Sequence, residues 1–161
     1  MYKGIPSVLT IFSDISERKQ AEKLLKESEA KYRTIFETTG TATIIIEEDT
    51  TISLVNTKFA ELTGLPKNEI ENKKSWTEFV VPEDLDQMVK MHKLRRTHPS
   101  EALRSYEFRF IDVHGTIKNI LLHIDIIPGT KKSIASLLDF TDRKKAEEDL
   151  RKNRMLLRTM I

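Results

Sequence analysis

Two stretches of this chain repeat one another, and the repeat limits what can lie between them. Asp14-Ile15-Ser16-Glu17-Arg18-Lys19-Gln20-Ala21-Glu22 returns as Asp139-Phe140-Thr141-Asp142-Arg143-Lys144-Lys145-Ala146-Glu147, and the match runs on to Arg33-Thr34 and Arg158-Thr159. Matching runs so far apart bracket one intervening domain, and a bracketed unit can recur in an array. The repeat predicts a module of a longer protein: residues 1–13 as the orphaned last strand of a preceding unit, 14–37 as a connector helix, 38–141 as the central domain and 142–161 as a second connector helix. Such a module is a relay element rather than a complete machine.

Composition removes several function classes. The 161 residues suffice for one domain with its own core plus flanking helices. Charges are abundant but balanced at a net +2, which argues against a nucleic-acid surface. The chain has no cysteine, which excludes disulfides and thiolate metal sites and fits a reducing cytosol. Without an apolar run of membrane-spanning length or a signal-like start, the expectation is a cytoplasmic fragment with no membrane contact of its own, whatever the parent does.

Local patterns give the element order. Ile5–Phe12 reads as a strand because it is short, β-branched and aromatic, and it matches the run from Lys131 to Leu138. Residues 16–37 read as a helix in which Ala21, Leu25, Ser28, Tyr32 and Ile35 follow the 4, 3, 4, 3 spacing of a coiled-coil seam. The second copy keeps that seam at Ala146, Leu150, Asn153, Leu157 and Met160. The alternative is a charged helix that packs on its own domain.

In the centre, Ala42–Glu47 and Thr51–Val55 read as a hairpin. Asn56 is placed to cap a helix from Thr57 to Thr63, closed by Gly64 and Pro66. Short turns follow, then a helix from Pro82 to Arg96 with acids at its start and bases at its end. Three strands close the domain: Tyr106–Phe110, Ile117–Ile127 and Ser133–Asp139. This order predicts an α+β fold, an antiparallel sheet with its helices gathered on one face.

The hairpin ending in Asn56, the run Phe59-Ala60-Glu61-Leu62-Thr63-Gly64, the run Trp76-Thr77-Glu78-Phe79-Val80 with Pro82-Glu83-Asp84, and the tail Asp139-Phe140-Thr141-Asp142-Arg143-Lys144 together resemble a PAS domain, over about residues 30 to 145. The resemblance implies a five-stranded antiparallel sheet with a small cavity between sheet and helices. It also implies a homodimer that transmits through its flanking helices to adjacent PAS or kinase domains of a signalling protein, a histidine kinase. The competing readings are a ligand or haem sensor and a purely structural spacer in a PAS array.

Catalysis finds no support in the residues. The chain shows no P-loop, nucleophile elbow or His-Glu-x-x-His arrangement, so it is expected not to be an enzyme, and no metal site is expected. Candidate cavity residues are Ile44, Leu54, Phe59, Met88, His92, Phe108, Leu122 and Ile124, which would serve equally as plain core around a filled cavity or as the wall of a small-molecule pocket. No cofactor is expected. Leu85, Met88, Val89 and His92 share one helical stripe, and in haem-binding PAS proteins the iron-ligating histidine comes from this helix. The bland reading of His92 is a hydrogen-bonded structural histidine. The light-sensing PAS branch forms a cysteine–flavin adduct, which this chain cannot form. The basic run Lys90–Arg96 reads as the solvated end of a helix. For signal exit, Asp139 is expected to pair with Arg143 while Thr141 caps the last helix.

Overall fold

The computed structural model describes residues 8–160, with side chains described for 11–158. Two compact units make up the chain, residues 1–38 and 39–161.

The first unit is helix α1, Val8–Thr38. The strand expected over Ile5–Phe12 is corrected for Val8–Phe12, which are the opening turns of α1, while residues 5–7 lie outside the described residues. The reason is backbone accounting. A strand needs a neighbour to pair its N–H and C=O groups, whereas a helix pairs them within the segment.

The second unit is a five-stranded antiparallel sheet: β1 (Ala42–Ile46), β2 (Ile52–Val55), β3 (Ser105–Ile111), β4 (Ile117–Ile126) and β5 (Ser133–Asp139), in the order β2-β1-β5-β4-β3. Between β2 and β3 the chain forms α2 (Thr57–Thr63), α3 (Lys67–Ile70), a 3₁₀ turn over Trp76–Phe79, α4 (Pro82–Thr97) and a second 3₁₀ turn over Pro99–Glu101. Helix α5, Thr141–Met160, leaves the end of β5.

Asn56 starts α2 as its spacing requires. Its Oδ1 accepts the Phe59 N–H at 3.0 Å and the Thr43 N–H at 2.9 Å, and its Nδ2 donates to the Thr41 carbonyl at 2.8 Å. One fully buried side chain therefore caps the helix and ties it to β1. Gly64 ends α2 at φ +84°, and a Cβ there would meet Val113 Cγ2 at 2.9 Å, so glycine serves both the left-handed turn and the close approach.

The core lies between one sheet face and the helices. Ile44, Phe108, Ile120, Leu122 and Leu137 from the sheet meet Phe59 of α2, Ile70 of α3 and Met88 of α4. Phe59 packs edge-on against Phe79 and Phe110, which stack on each other at 5.6 Å. This predicted α+β architecture, an antiparallel sheet with helices on one face, preceded and followed in the chain by a helix, is what the structure shows.

Candidate functional site

The site forms where α4 and the Trp76–Phe79 turn lean over the inner sheet face, leaving a cavity of about 40 Å³. A cavity needs about 10–15 Å³ on this measure per water, so the space suits a group of a few atoms. Ile44, Phe59, Met88, His92, Phe108, Leu122 and Ile124, seven of the expected residues, line it.

Leu54 does not. It is 39% exposed on the outer face. Ile45 pairs with Leu54 but Ile46 pairs with Ile52, so Ser53 is an extra residue in a β-bulge. The bulge breaks strand alternation: Ile52 and Val55 are buried and Leu54 is turned away.

Sequence reasoning missed the polar part of the wall. Trp76, Arg95 and Tyr106 also line the cavity. The basic run therefore does not end in a solvated face throughout, because Arg95 is only 3% exposed. Its Nη2 donates to the Leu103 carbonyl at 2.5 Å, and the Tyr106 hydroxyl lies near enough to interact with it. The available signal was position: Arg95 follows Met88 by seven residues and His92 by three, which continues the inward stripe of α4.

His92 has both ring nitrogens engaged. Arg96 Nη1 lies 3.1 Å from Nδ1 and, as a guanidinium, can only donate, so the ring proton sits on Nε2 and is donated to the Glu48 carbonyl at 2.8 Å. Burial holds the His92 pKa below its ordinary value, partly offset by the Glu48 carbonyl, while Arg96 and Arg95 push the same way as burial. The residues do not fit haem. Nε2 carries a proton committed to a carbonyl, and the cavity is far below the volume of a porphyrin. Among the described residues no group of three or more His, Asp or Glu side chains gathers into a metal site.

At the sheet–helix junction the expected Asp139–Arg143 pair is absent. Arg143 Nε instead meets Glu147 Oε1 at 3.2 Å, one turn along α5, where helical spacing favours it. Thr141 is the first residue of α5 rather than its cap. Asp139 Oδ1 accepts the Thr141 N–H at 3.0 Å and its hydroxyl at 2.5 Å. Asn119 of β4 completes the joint, a contact from a distant strand that no local pattern marks. Its N–H donates to Thr141 Oγ1 at 2.8 Å, its carbonyl accepts the Phe140 N–H at 3.0 Å, and its Oδ1 lies 3.5 Å from Lys144 Nζ.

The seam residues are solvent-facing. Ala21, Leu25, Tyr32 and Ile35 on α1 are exposed, as are Leu150 and Leu157 on α5, Leu25 by 60% and Leu150 by 53%. Among the described residues, no helix is long and apolar enough to cross a membrane.

Comparison with known proteins agrees with this geometry. The model of the PAS fold matches residues 30–127. The chain belongs to the PAS family. As a PAS sensory domain, it is 33% identical over 150 residues to the methyl sulfide methyltransferase-associated sensor of Methanosarcina acetivorans, a match covering 90% of this chain but 14% of that protein. The PAS domain of an HTR-like protein from Haloarcula marismortui superposes with a TM-score of 0.61 at 21% identity, covering 75% of this chain and 98% of that one. A domain of the sensory box sensor histidine kinase/response regulator of Geobacter sulfurreducens gives 0.58 at 19% identity, covering 71% and 96%. At these identities the two structures show a shared fold.

Proposed function

We propose that this PAS domain is a sensory relay module of a longer signalling protein, a cytoplasmic histidine kinase, and that it works as a homodimer joined through α1 and α5. The observation that carries the reading is the placement of Asn119. The strand that supplies Leu122 and Ile124 to the cavity also grips the first turn of α5 through Asn119, so one rigid element touches both the input space and the exit helix. A change that shifts β4 changes the support under α5, which is the kind of contiguous packed element that can couple two sites. Dimerisation is supported by the apolar seam residues left exposed on both helices. The domain itself performs no chemistry in this reading. Kinase activity resides in other parts of the parent, and adjacent PAS or kinase domains are its partners.

The test is Thr141→Val in a full-length parent, which removes the hydroxyl that accepts the Asn119 N–H and donates to Asp139 while keeping the side-chain shape, scored for melting temperature and for output. Relay predicts a small melting change with clearly altered autophosphorylation. Unchanged output would leave the domain as a spacer in an array.

A further inference from the structure

This inference rests on reading the cavity as the sensory input and goes on to the chemistry of what enters it. A buried cation is costly unless an anion faces it. Arg95 lies in the cavity wall, 3% exposed, yet its hydrogen-bond partners are the neutral Leu103 and Met91 carbonyls, with the neutral Tyr106 hydroxyl nearby. Among the described residues no carboxylate comes within ion-pair distance of it. Asp125, whose field reaches Arg95, is paired with Arg104 at 3.8 Å. The C-terminal end of α4 and the two carbonyls make the cation tolerable there, but they leave its charge uncompensated.

A second, independent observation points the same way. Trp76 also lines the cavity, 7% exposed, and its buried indole N–H has no hydrogen-bond partner in the protein. Its ring lies 5.6 Å from that of His92, one helical turn from Arg95. The wall thus offers a cation without an anion and an indole N–H without an acceptor, while Ile44, Phe108 and Leu122 of the same wall are apolar. What completes such a wall is small, rich in acceptors, anionic at one end and apolar at the other.

We propose that the cavity is a receptor site for a short-chain carboxylate, its carboxylate held by the Arg95 guanidinium, the Tyr106 hydroxyl and the Trp76 N–H, and its alkyl tail seated against Ile44, Phe108 and Leu122. A cavity of about 40 Å³ limits the ligand to a few non-hydrogen atoms.

The experiment titrates the isotopically labelled 161-residue chain with three probes of similar size and different charge: propionate, propanamide and propylammonium. Propionate is expected to shift the Trp76 indole and the β3–β4 amide resonances saturably, and the other two to leave them unmoved. Arg95→Gln should weaken propionate binding by about tenfold or more, the usual effect of losing a charge-assisted hydrogen bond. Should that variant lose its dispersed spectrum, Tyr106→Phe, which removes only a hydroxyl, carries the same test with a severalfold weakening expected. Equal response to propanamide overturns the anion assignment and leaves the cavity as an input site. No response to any of the three overturns the cavity as a receptor for molecules of this size, while the Thr141→Val output test judges the relay separately.

Discussion

The two copies of the repeat have nearly the same sequence pattern and different structures. In the first copy, Val8–Phe12 and Asp14-Ile15-Ser16 lie within one continuous helix, α1. In the second, the equivalent residues Ser133–Leu137 form β5, Asp139-Phe140-Thr141 forms a tight joint, and only then does helix α5 begin. The difference is the company each copy keeps. β5 is the central strand, and its residues Ser133–Leu137 are paired with β1 on one side and β4 on the other. Without a partner, the first copy pairs its backbone within itself. Segments of mixed propensity take the form that their surroundings can complete.

The largest effect that tests this contrast is on packing. Leu137 is 4% exposed, and its counterpart Phe12 is 65% exposed. Leu137→Ala is expected to cost about 2–5 kcal/mol in urea unfolding, whereas Phe12→Ala should stay within about 0.5 kcal/mol. A comparable loss in both would show that the first copy is also packed, and the contrast would fail.

Next comes the joint. Asp139→Ala removes the acceptor for two donors of Thr141, and a lost helix-start acceptor typically costs about 1 kcal/mol. The equivalent Asp14 sits inside α1, so Asp14→Ala is expected to change stability by less than about 0.5 kcal/mol. Thermal unfolding of the two variants side by side decides the point.

A smaller effect is expected from pH. Arg96, bonded to His92 Nδ1, also donates to the Lys131 carbonyl and Ser133 Oγ, so α4 braces the start of β5. The groups facing His92 are Arg96, Arg95, Glu48 and Asp49. Because its folded pKa lies below the ordinary 6.5, the unfolded chain takes up the proton first as pH falls. Stability from this group is complete above that value and is lost progressively on acidification below it. Amide protection, taken relative to the intrinsic exchange rate at each pH, should therefore fall in β5 below about pH 6.5, with no parallel fall in α1, and His92→Gln should flatten the response.

The least effect on folding is predicted where the copies agree. Leu25 and Leu150 occupy equivalent positions and are both exposed. Leu25→Lys and Leu150→Lys should leave the unfolding transition of the second unit in place while shifting the chain toward monomer in light scattering. A monomer before mutation would remove the support for the proposed dimer.

Much of the domain was legible because its signals are local. Asn56 before Thr57–Thr63, Gly64 after it and Pro82 at the head of α4 mark helix ends by the chemistry of a single residue. Alternation in Tyr106–Phe110 and Ile120–Ile126 marks strands, and the stripe through Met88 and His92 marks the inward side of α4. Seven of eight expected cavity residues followed from such periodicity. Leu54 escaped it because a one-residue bulge against β1 reverses its face, and a bulge is a property of the pair of strands.

The sequence by itself determined the order of elements from β1 to α5, most of the inward residues and the family, since these follow from side-chain period and end-capping within a few residues. Only the tertiary structure decided which copy of the repeat became a strand, that Arg143 turns to Glu147 rather than to Asp139, and that Asn119 holds the head of α5. It alone placed Trp76, Arg95 and Tyr106 around one small cavity. Each of these depends on a partner distant in the chain. Hydrogen bonding and burial are satisfied by whatever folding brings near, and no local pattern encodes that neighbour.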